Sequence, residues 1–254
     1  MIPKVIHYCW FGKNKIPDLY KTYMNTWKKY CHEYEVIQWN EDNFDVCSNE
    51  YCKQAYETKQ WAFVSDFARL KIIYEYGGIY LDTDVELIKN IDDLLLNKAY
   101  IGFQNEYEVN TGLGFGAEKH NDAIKSMLEM YNDRSFVDDN RKYNRIPCPA
   151  TNTVALFAHG LKNGRRNSTQ IQYLDDITVY PEEYFNPMNR NNGKVRLTEK
   201  TYTVHHYSGS WSSGQTKRLS RVKKVIPNWM LRCHDNKVAK KDIETIKTSL
   251  GGRS

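Results

Sequence analysis

The 254-residue sequence lacks three features that would indicate a membrane span or an oxidising compartment. It has no apolar run approaching the roughly 20 residues of a membrane span. Its N-terminal residues, MIPKVIHYCWFG, show no basic region followed by an apolar one, which is the pattern of a signal peptide. The six cysteines form no CxxC pair, which argues against a zinc site and favours free thiols. We therefore expect a cytoplasmic protein, either free or attached to the inner face of the cell membrane.

The sequence also lacks a basic main body, although its formal net charge is +5. Residues 217–241 contain nine Lys and Arg against one Asp, a net charge of +8, so the rest of the chain carries −3. A body of this charge is unsuited to nucleic acid, and we expect no nucleic-acid partner. The basic segment interleaves its cations with Trp229 and aliphatic residues, which fits either an anionic membrane surface or a helix packed on the domain.

Strand and helix patterns alternate in the N-terminal part of the chain. KVIHYCWFG and YEVIQWN predict strands, and GIYLDTDVELI predicts a strand that runs into its terminal loop. IPDLYKTYMNTWKKYC and WAFVSDFARLKIIYEY predict helices. This order is typical of α/β folds, in which ligands bind at the carboxyl ends of parallel strands. We expect an α/β domain over residues 1–216 and a basic helical extension over residues 217–254.

Residues 63–85, FVSDFARLKIIYEYGGIYLDTDV, place three Asp and an Arg among apolar side chains. Charged groups are costly to bury unless a partner binds them. Asp66 and Arg69 lie three residues apart on the predicted helix and share one face. They are either a structural ion pair or a pair that binds sugar hydroxyls or phosphate. Gly77 and Gly78 are expected to end this helix.

Asp82 and Asp84 follow the next predicted strand. Residues two apart in a strand point the same way, so both carboxylates can bind one cation. Hard oxygen ligands suit Mg²⁺ or Mn²⁺, and such an ion can neutralise a departing diphosphate. A DxD alone is weak evidence because chance copies are common, but its position at a strand end strengthens the prediction.

The segment SDFARLKIIYEYGGIYLDTDV resembles the SD-x-x-R…YGG-x-Y-x-D-x-D signature of family 32 glycosyltransferases, which carry a sugar-binding region containing a DXD motif. It is also similar to the catalytic domain of the large clostridial glucosylating toxins. IPKVIHYCWFG and TVHHYSGSW resemble the opening and closing motifs of this family. The resemblance covers residues 1–216. It implies a GT-A fold with a Rossmann-like mixed sheet flanked by helices, a nucleotide-sugar donor, Mn²⁺ (or Mg²⁺) and retention of anomeric configuration.

The resemblance also implies roles for residues around the nucleotide. Trp10 would stack on the nucleobase, Tyr80 would lie beside the ribose, and Trp211 would close over the diphosphate. Asp82 would contact both ribose and metal, and Asp84 would bind the metal.

The resemblance assigns the donor sugar to Asp66 and Arg69 and a third metal ligand to His206. His205 is the competing metal ligand, since spacing alone does not separate adjacent histidines. Two further segments are expected at the sugar or acceptor site, one in NTGLGFG and one in PCPATNT, which resembles the GP-x-x-x-T loop of the family with Pro-Ala in place of Gly-Pro. The residues they contribute are Asn110, Thr111, Thr151 and Asn152.

The predicted reaction moves a hexose from a nucleotide sugar to a glycan acceptor in bacterial surface or capsular polysaccharide assembly, and we expect this acceptor to be lipid-linked. A UDP-sugar such as UDP-glucose or UDP-galactose is the favoured donor, and GDP-mannose is the alternative. A haloacid-dehalogenase-like phosphatase would instead use Asp82 as a nucleophile, with Asp175 and Asp176 as its later acidic pair. A sugar-binding module without catalysis would need no metal-dependent diphosphate site.

Overall fold

The computed structural model describes residues 1–189, 192–208 and 228–251. The strands in these ranges are β1 (Val5–Cys9), β2 (Glu35–Trp39), β3 (Gly78–Tyr80), β4 (Val85–Leu87), β5 (Ala99–Phe103), β6 (Val109–Asn110), β7 (Phe115–Ala117), β8 (Gln172–Tyr173), β9 (Thr178–Tyr180) and β10 (Thr203–His205). The α-helices are α1 (Asp18–Tyr30), α2 (Glu50–Glu57), α3 (Trp61–Tyr76), α4 (Asp122–Glu129), α5 (Cys148–Phe157), α6 (Arg165–Ser168), α7 (Glu182–Phe185) and the C-terminal helix (Asn228–Gly251). Short 3₁₀ helices span Asp92–Leu96 and Thr111–Leu113.

The central sheet is mixed and has eight strands in the order β2–β1–β3–β7–β5–β9–β8, with β6 paired to β5. β1 runs parallel to β2 and β3, and β5 runs parallel to β9. β4 and β10 form a separate antiparallel ladder. Apolar cores lie on both faces of the sheet, one including residues of α2 to α5 and the other residues of α1. The expected α/β fold, a mixed sheet flanked by helices, is confirmed.

Helix α3 has the ends that the sequence predicts, and it is buried over most of its surface because its apolar residues lie on every side. The chain then turns sharply, with φ values of 68° at Gly77 and 98° at Gly78. A Cβ at Gly78 would lie 2.8 Å from the Val5 carbonyl oxygen and 2.9 Å from His7 Nε2, so only glycine fits beside β1. This turn starts β3, the strand that leads to Asp82.

The C-terminal helix packs on α5, and its Ile243 and Ile246 contact Ala150. Arg232 forms salt bridges to Glu106 (3.3 Å) and Glu182 (3.1 Å). The described half of the basic extension is therefore docked on the domain, whereas residues 217–227 lie outside the described residues. The division at residue 216 stays a prediction. Among the described helices, none combines the length and apolar character needed to cross a bilayer.

Candidate active site

The candidate site lies where two neighbouring strands end. β1 and β3 are adjacent and parallel, so the residues that follow them meet at one edge of the sheet. Trp10 follows β1, and Asp82 and Asp84 follow β3. The two carboxylates lie in a turn, in which the Val85 N–H donates to the Asp82 carbonyl oxygen at 2.9 Å. They converge through this turn and not through the strand alternation that the sequence predicted, because β3 ends at Tyr80.

Asp82, Asp84 and His205 bring three potential ligand atoms within 4.8 Å of one another. His205 Nε2 is 3.1 Å from Asp84 Oδ1, and the Ser208 N–H donates to Asp84 Oδ2 at 2.8 Å. Burial by itself would raise the pKa of Asp84. The charge and hydrogen bond of His205, with the Ser208 N–H, outweigh burial and lower that pKa to about 2. Asp84 is therefore ionised at neutral pH.

The two adjacent histidines have different surroundings. Successive residues of a strand point to opposite sides, so only one of the pair can face Asp84. His205 does so, whereas His206 Nε2 lies 2.8 Å from Glu86 Oε2. The His206 ring also stacks on Tyr23 at 4.0 Å with an interplanar angle of 10°. The geometry therefore favours His205, the competing candidate, over His206, and the metal-ligand role of either histidine stays a prediction.

This donor set fits a divalent cation. Two carboxylates and an imidazole suit Mn²⁺, and the carboxylates also suit Mg²⁺. His205 is 8% exposed, and its Nδ1 atom is buried without a hydrogen-bond partner among the described residues. The other ring nitrogen, Nε2, faces Asp84 and is the atom that could bind a cation held by the two carboxylates.

Arg69 connects the carboxylate on α3 to the DxD. Its Nη2 atom lies 3.2 Å from Asp66 Oδ1 and 3.2 Å from Asp82 Oδ1, and its guanidinium lies 5.0 Å from the Tyr80 ring centre. Burial would lower the pKa of Arg69, but Asp82, Tyr80 and Asp66 outweigh it, so the guanidinium stays charged. Burial raises the pKa of both Asp66 and Asp82, against the opposing charge of Arg69. The predicted ion pair is present, and it extends to the candidate cation site.

Thr111 and Asn152 lie on the same side of the site as Arg69. Arg69 Nη1 is 3.5 Å from Thr111 Oγ1, which also accepts a hydrogen bond from Asn152 Nδ2 at 3.2 Å. Asn152 is fully buried, and its Oδ1 has no partner among the described residues. Gly112 adjoins them, and a Cβ there would lie 2.7 Å from Asp82 Oδ2. A side chain at this position would displace the carboxylate.

Two other predicted residues make supporting contacts within the protein. Asn110 Oδ1 accepts the Gly112 N–H at 2.6 Å, which fixes the start of the short helix beside Asp82. Thr151 Oγ1 accepts a hydrogen bond from Arg134 Nη1 at 3.0 Å.

Trp10, one of the two predicted nucleotide-binding tryptophans, lies directly after β1. The Trp10 side chain is half-buried at the strand end, and its Nε1 donates to the Asn14 carbonyl oxygen at 2.6 Å. Its ring meets Tyr20 edge-on at 5.9 Å. Trp211 lies outside the described residues.

The structure adds two residues that the sequence reasoning missed. The Cys148 thiol is hydrogen-bonded to Asp66 and lies 4.0 Å from Thr111 Oγ1, and burial raises its pKa. It belongs to the PCPATNT segment, so the resemblance of that loop could have identified it. Arg134 holds Thr151 and also acts electrostatically on Asp66. It lies in an irregular segment without a motif, and nothing in the sequence pointed to it.

Residues 17–101 match the family described as glycosyltransferase sugar-binding region containing DXD motif. The chain is 26% identical over 230 residues to an uncharacterized glycosyltransferase of Acanthamoeba polyphaga mimivirus, over 84% of each chain. It is 30% identical over 104 residues to inositol phosphoceramide mannosyltransferase 3 of Schizosaccharomyces pombe, over 39% of this chain and 29% of that protein. It is 25% identical over 175 residues to the lactosylceramide 4-alpha-galactosyltransferase of Rattus norvegicus, over 63% of this chain and 44% of that enzyme.

The matched segment contains α3, the Gly77–Gly78 turn and both aspartates of the DxD. Residues 17–101 are therefore similar to the sugar-binding region of this glycosyltransferase family, and the comparisons support a glycosyltransferase. The phosphatase alternative needs the acidic pair Asp175 and Asp176 beside Asp82. The structure does not support this arrangement, because Asp176 contacts Lys98 and His159, neither of which belongs to the candidate cation site.

Proposed function

We propose that the protein transfers a hexose from a UDP-sugar to a glycan acceptor with retention of configuration, and that the transfer depends on a divalent cation. The observation that carries this proposal is the grouping of Asp82, Asp84 and His205 beside the Asp66–Arg69 pair. A diphosphate needs a cation to balance its charge, and a sugar needs hydrogen-bonding groups to hold its hydroxyls. The site offers groups of both kinds side by side.

Asp82, Asp84 and His205 are the residues that would hold the cation. The bound ion would neutralise charge on the diphosphate as the glycosyl bond breaks. Arg69 positions both Asp66 and Asp82, because its Nη2 atom lies 3.2 Å from each carboxylate. The remaining lone pairs of Asp66 can accept hydrogen bonds from sugar hydroxyls, which orients the anomeric carbon toward the acceptor. Trp10, after β1, would stack on the base.

The relatives support a glycolipid acceptor, since two of them are an inositol phosphoceramide mannosyltransferase and a lactosylceramide galactosyltransferase. We propose that the acceptor here is likewise lipid-linked, as in surface or capsular polysaccharide assembly in a bacterium, and that the enzyme works at the inner face of the membrane. The cations of residues 217–241 would favour an anionic membrane surface.

A donor panel tests the reaction. The protein is incubated with Mn²⁺ and, in turn, UDP-glucose, UDP-galactose, UDP-N-acetylhexosamines and GDP-mannose, and the release of UDP or GDP is measured. We expect slow UDP release that stops when the metal is chelated. GDP release from GDP-mannose alone would support the alternative donor, which the mannosyltransferase relative favours.

A pair of variants tests the site. Asp84→Asn should reduce metal-dependent donor hydrolysis by at least about a hundredfold while the fold is kept, because the ligand charge is lost. Asp176→Asn is the matched control, since Asp176 lies in a separate cluster with Lys98. Retained hydrolysis in Asp84→Asn would refute the assignment.

A further inference from the structure

Arg134 lies in the irregular segment that follows α4, and its guanidinium spans the entry to helix α5. Its Nη1 atom donates to Thr151 Oγ1 at 3.0 Å. Its Nη2 atom donates to the Ile146 carbonyl oxygen at 3.0 Å and to Asn144 Oδ1 at 3.2 Å. One planar group therefore ties the loop before α5 to the first turn of that helix.

The same guanidinium packs on two buried tyrosines. Its central carbon lies 4.9 Å from the Tyr51 ring centre and 5.5 Å from that of Tyr131. Both rings are 1% exposed, and the Tyr131 ring also meets Phe67 edge-on at 5.8 Å. Phe67 is the neighbour of Asp66 in α3, so Arg134 links α5 to the part of α3 that carries the proposed sugar contact.

The first turn of α5 meets the sugar side of the candidate active site through two contacts. The Cys148 thiol is hydrogen-bonded to Asp66, and Asn152 Nδ2 donates to Thr111 Oγ1 at 3.2 Å. Thr111 Oγ1 lies 3.5 Å from Arg69 Nη1. A shift of this turn would therefore move groups that contact both Asp66 and Arg69.

Thr151 is the residue of this turn that Arg134 holds directly. It is 1% exposed, and its hydroxyl accepts the hydrogen bond from Arg134 and donates to the Pro147 carbonyl oxygen at 3.5 Å. These contacts suit an anchor within the protein, whereas the sequence predicted a residue of the sugar or acceptor site. The experiment below separates the two roles.

We propose that Arg134 is a positioning residue, which fixes the first turn of α5 against α3 and so maintains the shape of the sugar side of the site. It acts through Thr151 and through the loop before α5. This inference rests on the proposed function, because it assigns the affected groups to the sugar of a nucleotide-sugar donor. The competing explanation is that Arg134 stabilises the fold as a whole.

The first measurement needs no substrate. Cys148 is 7% exposed, so its reaction with N-ethylmaleimide requires the start of α5 to open. The rate is followed by mass spectrometry of the Cys148 peptide in the unaltered chain and in Arg134→Lys, which keeps the charge but loses the planar fork. Cys31 is the internal reference, because it is 2% exposed and lies in the core that includes residues of α1.

We expect Cys148 to react at least about tenfold faster in Arg134→Lys, while the rate at Cys31 stays unchanged. Loss of one hydrogen bond from a charged donor shifts a local opening equilibrium by about this factor. No acceleration at Cys148 would overturn the proposal. Equal acceleration of both thiols would also overturn it, because that result indicates a loss of overall stability.

The second measurement separates the sugar side from the nucleotide side. Hydrolysis of UDP-glucose and UDP-galactose gives kcat/KM, and calorimetry with UDP and Mn²⁺ gives the affinity for a nucleotide without a sugar. Arg134→Lys should lower kcat/KM at least about tenfold but change the UDP affinity less than about twofold, because misplaced sugar contacts affect only a donor that carries the sugar. An equal loss in both quantities would contradict the proposal.

Two further variants test the route through Thr151. Thr151→Val should lower kcat/KM, and the double variant with Arg134→Lys should be no worse than Arg134→Lys alone, because both changes break the same hydrogen bond. Additive losses would refute this route. Arg145→Lys is the matched control and should behave like the unaltered chain, since Arg145 lies in the same segment but is exposed and stacks on Tyr143.

The two measurements keep this inference distinct from the proposed function. Absence of hydrolysis by the unaltered chain would contradict the glycosyl-transfer proposal. The comparison of Cys148 with Cys31 would still decide whether Arg134 fixes the start of α5.

Discussion

We expect protonation of the buried His7 side chain to lower the free energy of unfolding in mild acid. This side chain lies in β1 and is 2% exposed. Trp39 Nε1 donates to His7 Nδ1 at 3.0 Å, so Nδ1 carries no proton, and Nε2–H donates to the Gly77 carbonyl oxygen at 3.0 Å. Protonation of Nδ1 would place two N–H groups against each other. Burial lowers the pKa of His7 to about 4, although the hydrogen bond to Gly77 acts in the opposite direction.

The sign follows from the two pKa values. The unfolded chain binds a proton near pH 6.5, whereas the folded chain binds it near pH 4. The free energy of unfolding is therefore unaffected above pH 6.5 and falls as the pH is lowered from 6.5 to 4. The expected loss from this residue is about 2 kcal/mol at pH 5 and about 3 kcal/mol at pH 4.

Urea unfolding followed by tryptophan fluorescence measures this effect at pH 7 and pH 5. The comparison is between the unaltered protein and His7→Gln, whose amide can still donate to Gly77 but does not titrate. Carboxylates titrate in both proteins, so the difference between their pH dependences isolates His7. We expect the unaltered protein to lose about 2 kcal/mol more than the variant. An equal loss in both would refute the reasoning, whatever their absolute stabilities.

Three further predictions concern the candidate active site. His205→Ala should weaken Mn²⁺ binding at least about tenfold in calorimetry, whereas His206→Ala should change it less than about twofold; the reverse order would restore His206 as the ligand. Gly112→Ala should lower donor turnover at least about tenfold at an unchanged melting temperature, because the added Cβ would lie 2.7 Å from Asp82 Oδ2; normal turnover would show that the carboxylate can move freely. Arg69→Lys should reduce kcat/KM at least about tenfold, since an ammonium cannot reproduce the planar fork; unchanged kinetics would assign Arg69 a charge role alone.

The sequence predicted α3 and its boundaries because several local signals agree there. Apolar residues at helical spacing define the helix, and two glycines with positive φ end it. The DxD was equally visible, since a strand followed by two acidic residues is a local pattern. These features depend on residues close together in the chain, so they could be predicted from a single sequence.

The grouping around Arg69 could not be predicted in the same way. Asp66 is its neighbour on the helix, but the contacts to Asp82 and Thr111 depend on how β3 and the short helix after β6 are placed. The choice between His205 and His206 depends on the register of β10 against β4. A change of one residue in that register would exchange the two side chains, and residue spacing does not determine it.

The bridge formed by Arg69 has a consequence for altering donor preference. Because one guanidinium atom contacts both Asp66 and Asp82, a substitution at Asp66, the proposed sugar contact, will also change the local field at the candidate cation site. Paired substitutions at these carboxylates should therefore be non-additive. If the proposed roles hold, a change of donor specificity would require substitutions at Asp66 and at the candidate cation site to be selected together, because each alters the surroundings of the other.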